Sequence, residues 1–493
     1  QKDGETFWHS VDMKIEQVPA YFEVLEIDLS GCSNWSGTID QVRLRLNPDH
    51  KWGSSEIDYI QFVSLPALPV NTPQENSVFT IGQDVLMEVD ASGFDDTLKQ
   101  IEFYVDGDEY AIDSVAPYVV IFTDLLAGKH SLAAKVIEAN EIFALGCVKI
   151  QVNFKANNPN VAPEAQNLLN YLYNLGRLDA TEKKIVSGHW IGTSHATGYS
   201  SLHEVTLEEV DFFYEQTGES VGIVDVWICP GWGVLDDPIN KGMWYDNIIR
   251  YQTQWYKAGG LVHAGHCPWC PLDTKYEYSA YEGDDIPSAE HILTPGTGAN
   301  MRWMAMLDKM VKYFEAMQKE NIPVVFRPFS EHYGNWRWFG PDTFSPNDFR
   351  KLWHHMYHYY TDTIGLNNIL WEFNEAKTHS QYPGDEYVDL FASQSVYSFN
   401  KYLTKTYTRS SDEGIWSVGE LGQGRNGQNE KADYNAWINL QMEAAPYTTS
   451  FITWSGCAGP FGCGDRPYNI TFNEALKNPW VINRNEINFN TDI

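Results

Sequence analysis

The stretch MRWMAMLDKMVKYFEAMQKENIPVVFRPF, residues 301–329, holds the rhythm of the fold in one span. Residues 301–320 are amphipathic at helical spacing, and Pro323 then opens a β-branched run, so a strand follows a helix. The same alternation recurs from NNPNVAP onward. Eight strand candidates stand out: KIVSGH, VGIVDVW, GLVHAGH, PVVFRPF, NILWEF, YVDLFAS, IWSVGE and TSFITWS. Eight parallel strands with intervening helices predict a (β/α)8 TIM barrel over residues 160–493. Chemistry in such barrels sits at the carboxyl ends of the strands, which makes His189, Asp225, His266, Glu331, Glu375, Tyr397, Glu420 and Trp454 the candidates.

Upstream the pattern is all β. Residues 1–67 alternate apolar and polar, as in EVLEIDLSG and SSEIDYIQF, and predict part of a β-sandwich module. Its phrase WSGTIDQVRLRL resembles the closing strands of carbohydrate-binding jelly rolls attached to polysaccharide-degrading enzymes. After the proline-punctuated LPALPVNTP, residues 69–154 give a second strand series with short turns, predicting an immunoglobulin-like sandwich. IEFYVDG followed by AGKHSLAAKV is similar to bacterial immunoglobulin-like spacers.

A chain of 493 residues exceeds one ordinary core, and its formal charge of -32 argues against a nucleic-acid partner, which needs a basic surface. No apolar run reaches the ~20 residues of a membrane helix. The 18 Trp and 28 Tyr suit stacking on sugar faces. The sequence opens at Gln1 with neither methionine nor leader, consistent with a mature secreted chain or a trimmed one. Seven cysteines include HCPWC at 266–270; with no second matching pair, a zinc site is not expected, and disulfides or buried thiols are, Cys457 with Cys463 being one close pair.

Glycosidic cleavage needs a proton donor and a second carboxylate, a nucleophile in retaining enzymes. Glu331 and Glu420, 89 residues apart and three β/α units from one another, would face each other across a barrel mouth. WEFNEAK offers a rival acid in Glu375, preceded by Asn374. From the residues alone the choice stays open.

The segments VSGHW, FRPFSEHYGNWRWFG, NILWEFNEAK, YPGDEYVDL and SVGELG, in that order, resemble glycoside hydrolase family 26, typified by endo-β-mannanases, over about residues 160–490. That resemblance implies Glu331 as acid/base, from a RPxHExxGxWFWWG segment, and Glu420 as nucleophile. It further implies His266 closing strand three, Tyr397 after strand six, Trp336 as an aromatic wall and Trp454 ending strand eight as substrate-binding residues. Three departures stand out. Ser330 replaces the histidine before the acid/base and His332 follows it; Ser395 replaces an aspartate; and GHCPWCP stands where a WHxxNP-like pattern is usual. All surround the sugar to be cleaved.

Physically, Glu331 must hold a proton to donate, which water-excluding neighbours such as Trp336 and Phe339 favour, while Glu420 must be ionised. Arg327 either holds Glu420 charged or pairs with another carboxylate inside the barrel. The expectation is a secreted, monomeric, endo-acting retaining β-glycoside hydrolase with a polysaccharide substrate and no metal or cofactor. β-Mannan is the default, with β-1,3-xylan, mixed-linkage β-glucan or a carrageenan-type galactan as alternatives suited to Ser330. A non-catalytic glycan-binding protein is the competing class.

Overall fold

The computed structural model describes residues 67–94, 100–138, 141–178, 181–191, 207–228, 243–268, 270–271, 288–334, 337–342, 344–374, 380–395, 414–422, 433–456, 459–462 and 468–488. The sandwich expected over 1–67 lies outside them, Ala67 apart. The chain divides into two compact units, Gln1–Val152 and Asn153–Ile493.

In the first unit a sheet of Val70–Thr72, Val85–Val89 and Val119–Phe122 accompanies a five-stranded sheet ordered Ser77–Thr80, Glu141–Asn153, Gly128–Glu138, Ile101–Val105 and Asp108–Asp113. Strand alternation decides what goes inside: Val85, Met87 and Val89 are buried while Leu86 is 44% exposed. Asp106 and Gly107, with φ of 52° and 95°, form the two-residue hairpin that the DG of IEFYVDG signals.

The second unit is a closed parallel barrel. Its strands are Gly188–Trp190, Ile223–Trp227, Leu261–Gly265, Val324–Arg327, Ile369–Phe373, Leu390–Ser395, Trp416–Leu421 and Thr448–Thr453, here called strands one to eight. All eight fall within or across the runs read from sequence. Strand one meets strand eight at a single register pair, His189 with Thr453. The imidazole reinforces this seam, with Nδ1 at 2.7 Å from Thr453 Oγ1 and Nε2 at 2.8 Å from Glu209 Oε2. Glu209 in turn accepts the Gly456 N–H at 3.0 Å, beyond strand eight.

Helix Gly298–Lys319 turns Trp303, Leu307, Met310, Phe314 and Met317 inward, the face its apolar spacing predicts. Helix Pro346–His358 starts as SPND dictates: Ser345 accepts the Asp348 N–H at 3.1 Å and Pro346 occupies the first turn, where a missing N–H costs nothing.

Inside the barrel, period two stacks the side chains in layers. Ile223, Leu261, Val325, Leu370, Ile415 and Ile452 form an apolar floor, sealed by Leu168, Leu169 and Leu172 of helix Pro163–Leu175. Two residues further along strands two, three, four, five and seven come Asp225, His263, Arg327, Glu372 and Ser417. A charged layer therefore rests on the apolar floor. The YPGDEYVD segment also has a structural task, since buried Asp389 accepts the Trp371 and Asn157 N–H groups, both at 2.8 Å.

Candidate active site

The charged layer is bound together by His263. Its Nδ1 lies 2.7 Å from Asp225 Oδ1 and its Nε2 2.9 Å from Glu372 Oε2, while Ser417 Oγ donates to Glu372 Oε1 at 2.7 Å. Burial alone would lower the imidazole pKa, but the two carboxylates raise it. Burial would likewise lift Glu372, and the charge and hydrogen bond of His263, with Arg327 and Ser417, bring it below the ordinary carboxylate range. Asp225, expected at a strand end, sits mid-strand in this network. His189, expected there too, belongs to the seam. Both positions follow from parity: Asp225 points into the barrel from mid-strand, beneath the mouth, whereas His189 faces outward against Glu209 and Phe213 of helix Glu208–Thr217.

Arg327 stands at the centre, fully buried. Its guanidinium is 3.6 Å from Glu420 and 3.9 Å from both Asp225 and Glu372, so the two pairings that the sequence leaves as alternatives coexist. Burial opposes its charge, and Glu420, Asp225 and Glu372 more than offset that.

Glu420 reaches this place by a break in the alternation. In IWSVGEL, Ile415 and Ser417 point inward while Trp416 and Val418 join the outer core; simple parity would turn Glu420 outward with them. The register instead slips: Val418 pairs with Ser393 and Glu420 with Gln394, leaving Gly419 as the extra residue, and the pairing with strand eight shifts over the same span. A bulge at Gly419 re-aims the carboxylate into the barrel. Gly419 is required for space, since a Cβ there would fall on the Arg327 guanidinium. Burial and the charge of Glu331 push the Glu420 carboxyl up to about 8, against the pull of Arg327 and Arg337.

Glu331 is presented differently, by irregular backbone after strand four. Phe329 and Glu331 have φ of 55° and 59°, left-handed conformations that non-glycine residues rarely adopt. Its carboxylate accepts a hydrogen bond from the Arg337 guanidinium, whereas the sequence reading surrounds it with aromatics. Phe339 is buried against Phe329, Trp338 and Phe349. Ser330, fully buried, approaches Arg327 Nε at 3.4 Å. His332 does not take over for the missing histidine: it packs on Phe373 and Phe349, with Nδ1 2.7 Å from Gln381 Oε1. His266 closes strand three, its Nδ1 against the Ile228 carbonyl. Cys267 and Cys270 are both buried, and Cys267 Sγ is 3.6 Å from the Ser330 carbonyl.

Trp454 follows strand eight and meets Trp190 at 5.9 Å and Trp227 at 6.4 Å; Trp190 and Trp227 lie 5.1 Å apart. Three adjacent strands therefore end in indoles at the mouth, a surface suited to sugar rings. Trp190 and Trp227 went unselected, although GHW and VDVW end their strands. Arg337 was also missed; its signal is a cation inside the aromatic run NWRWFG. Trp336, Glu375 and Tyr397 lie outside the described residues. No cluster of metal-ligating residues occurs among the described residues.

A barrel with two carboxylates at its mouth fits many glycosidases, and sequence comparison narrows the choice. The profile of glycosyl hydrolase family 26 matches residues 157–486. The chain belongs to that family. It is a glycosidase, and a bacterial immunoglobulin domain profile matches residues 66–134 ahead of the family 26 domain. Among curated relatives, mannan endo-1,4-β-mannosidase A and B of Caldalkalibacillus mannanilyticus is 27% identical over 352 residues, which is 68% of this chain and 63% of the relative. Mannan endo-1,4-β-mannosidase of Bacillus subtilis is 27% identical over 348 residues, 67% of this chain and 89% of the relative. The solved structure of a Bacillus subtilis mannanase superposes with a TM-score of 0.55 at 23% identity, covering 69% of this chain and 98% of that one. The family 26 barrel is thus shared in fold.

Proposed function

We propose that this family 26 chain is a secreted, endo-acting, retaining hydrolase of β-mannan, working as a monomer, with Glu331 as acid/base and Glu420 as nucleophile. The observation that carries the reading is the Glu331 and Glu420 pair, after strand four and on strand seven, held respectively by Arg337 and Arg327: burial first, and then the charge of Glu331, pushes the Glu420 carboxyl up to about 8. A retaining glycosidase needs one proton between two such carboxylates. With sugar bound, that proton resides on Glu331 and passes to the glycosidic oxygen as Glu420 attacks the anomeric carbon. Arg327, 3.6 Å away, supports the ionised nucleophile. Water then cleaves the glycosyl-enzyme with Glu331 as base.

The relatives named as mannan endo-1,4-β-mannosidases support β-mannan as substrate. Trp454, with Trp190 and Trp227, would stack on the polymer; His266, Ser330, Trp336 and Tyr397 would contact the sugar at the point of cleavage. No helix among the described residues is long and apolar enough to cross a membrane. The proposed division into 1–67, 69–154 and 160–493 assigns all catalysis to the last segment.

The test is hydrolysis of a panel of purified polysaccharides, with the anomeric configuration of the first product read by NMR. Internal cleavage of β-mannan with retention is expected. Turnover of β-1,3-xylan, mixed-linkage β-glucan or carrageenan without mannan would overturn the substrate, and tight glycan binding with no product would overturn the enzyme.

A further inference from the structure

After strand four the chain turns back on itself three times: Gly334 N–H to Glu331 O at 2.9 Å, Arg337 N–H to Gly334 O at 3.1 Å, and Gly340 N–H to Arg337 O at 2.9 Å. The coil closes only because residue 340 is glycine, since a Cβ there would strike the Gly334 carbonyl. Two pins hold it from outside. Trp338 Nε1 donates to the Pro268 carbonyl at 2.8 Å, and Gln381 Nε2 donates to the Phe339 carbonyl at 2.8 Å. Residue 337 is thereby seated over residue 331. Arg337 is 3% exposed, and its Nη2 donates to Oε2 of Glu331, whose side chain is 12% exposed.

A guanidinium is costly to bury, and this one keeps its charge because Cys267, Glu331 and Glu420 surround it. It also interrupts an otherwise aromatic segment, so an apolar residue would meet the packing demand at lower cost. We propose that Arg337 is a positioning residue for Glu331: by holding one carboxyl oxygen, it restricts rotation of the carboxyl and leaves the other oxygen to deliver a proton to, or take one from, the reacting oxygen. This rests on the reading of Glu331 as acid/base. A rigid planar guanidinium holds that oxygen from a fixed direction, whereas the flexible stem of a lysine would hold it less closely. Misaligning a catalytic group by about 1 Å costs on the order of 10²-fold in rate.

Dependence on leaving group tests this in the full chain. Polymeric β-mannan needs its leaving oxygen protonated; 2,4-dinitrophenyl β-mannobioside does not. For Arg337→Met, kcat on β-mannan should fall about 10–100-fold with KM little changed. Its kcat/KM on the dinitrophenyl substrate should stay within about threefold of the parent. Azide, a nucleophile that needs no base, should restore turnover of the activated substrate wherever the second step has become slow. Arg337→Lys, which keeps the charge and loses the rigid plane, should lie between parent and Met variant and carries the test if Arg337→Met does not fold. Equal losses on both substrates, or an unaffected β-mannan rate, would overturn the proposal. Glu331→Ala separates the two layers of inference. If it shows the leaving-group dependence and azide rescue while the Arg337 variants do not, only the role of Arg337 falls; if Glu331→Ala shows neither, the acid/base reading falls.

Discussion

The two carboxylates reach one site by opposite means. Glu420 lies within a barrel strand, aimed inward by a bulge and backed by Arg327, which in turn contacts Asp225 and Glu372. Glu331 stands on irregular backbone with two left-handed residues, held by Arg337 from its own loop. In the role proposed for Glu420 a nucleophile has to sit in one place, and a stack of packed strands supplies that, with Arg327 opposing the effect of burial on its charge. In the role proposed for Glu331 an acid/base has to exchange a proton twice per turnover, and turns pinned at Trp338 and Phe339 let its partner Arg337 be set independently of the barrel strands.

The comparison breaks most visibly at the carboxylates themselves. Glu420→Ala should lower kcat on β-mannan by about 10⁴–10⁶-fold, as for loss of a nucleophile. Glu331→Ala should cost about 10²–10⁴-fold on the polymer. Steady-state assays measure both, and full activity in either variant would remove that residue from the mechanism.

Next in size is the support beneath Glu420. His263→Ala leaves Asp225 and Glu372 buried without the imidazole between them, and should cost about 3–5 kcal/mol in denaturant unfolding. The raised imidazole pKa fixes the sign: its stabilising contribution is complete below the unfolded value and fades as pH rises through the folded one. An unchanged unfolding midpoint at pH 6 would show that the layer is not electrostatically bound.

Gly419→Ala and Gly340→Ala sharpen the contrast by testing each side with one methyl group. The first pushes on Arg327 and should cost kcat roughly 10–100-fold; the second opens the coil over Glu331 and should show the same leaving-group dependence as loss of Arg337. Circular dichroism should report an intact fold for both.

The smallest effect is on stability. The Glu420 carboxyl is pushed from 4.5 to about 8, so the unfolded chain ionises first and stability declines as pH climbs through that window. Glu420→Gln removes the decline. Its Tm at pH 7–8 should exceed the parent's by about 3–6 °C, with the gain vanishing near pH 4. A gain that persists at pH 4 would point to packing instead of charge.

Much of this was legible in the sequence. β-branched runs between amphipathic segments locate all eight barrel strands, and strand-end acids bring Glu331 and Glu420 forward. What stayed hidden depends on events that alternation does not encode. The aim of Glu420 rests on a bulge, for which the lone glycine in SVGEL is the available sign. Asp225 was noted but misplaced, and His263 and Glu372 passed unnoticed, because inward residues at mid-strand look like any others until three strands bring them together. Arg337 is obscured by its aromatic neighbours, since what reaches Glu331 depends on the backbone hydrogen bonds that link residues 331, 334, 337 and 340.

The seam between strands one and eight bears on how a polymer gets in. An endo-acting hydrolase has to admit a chain from the side, anywhere along its length. Here strand one itself meets strand eight at one register pair, His189 with Thr453, while Val186 just ahead of it pairs with Ser450, and Trp190 and Trp454 flank the seam. Backbone amides of Gly188–Trp190 should therefore trade hydrogen for deuterium sooner than those of strands two to seven. The sugar-stacking indoles would then ride on the part of the barrel that breathes most readily.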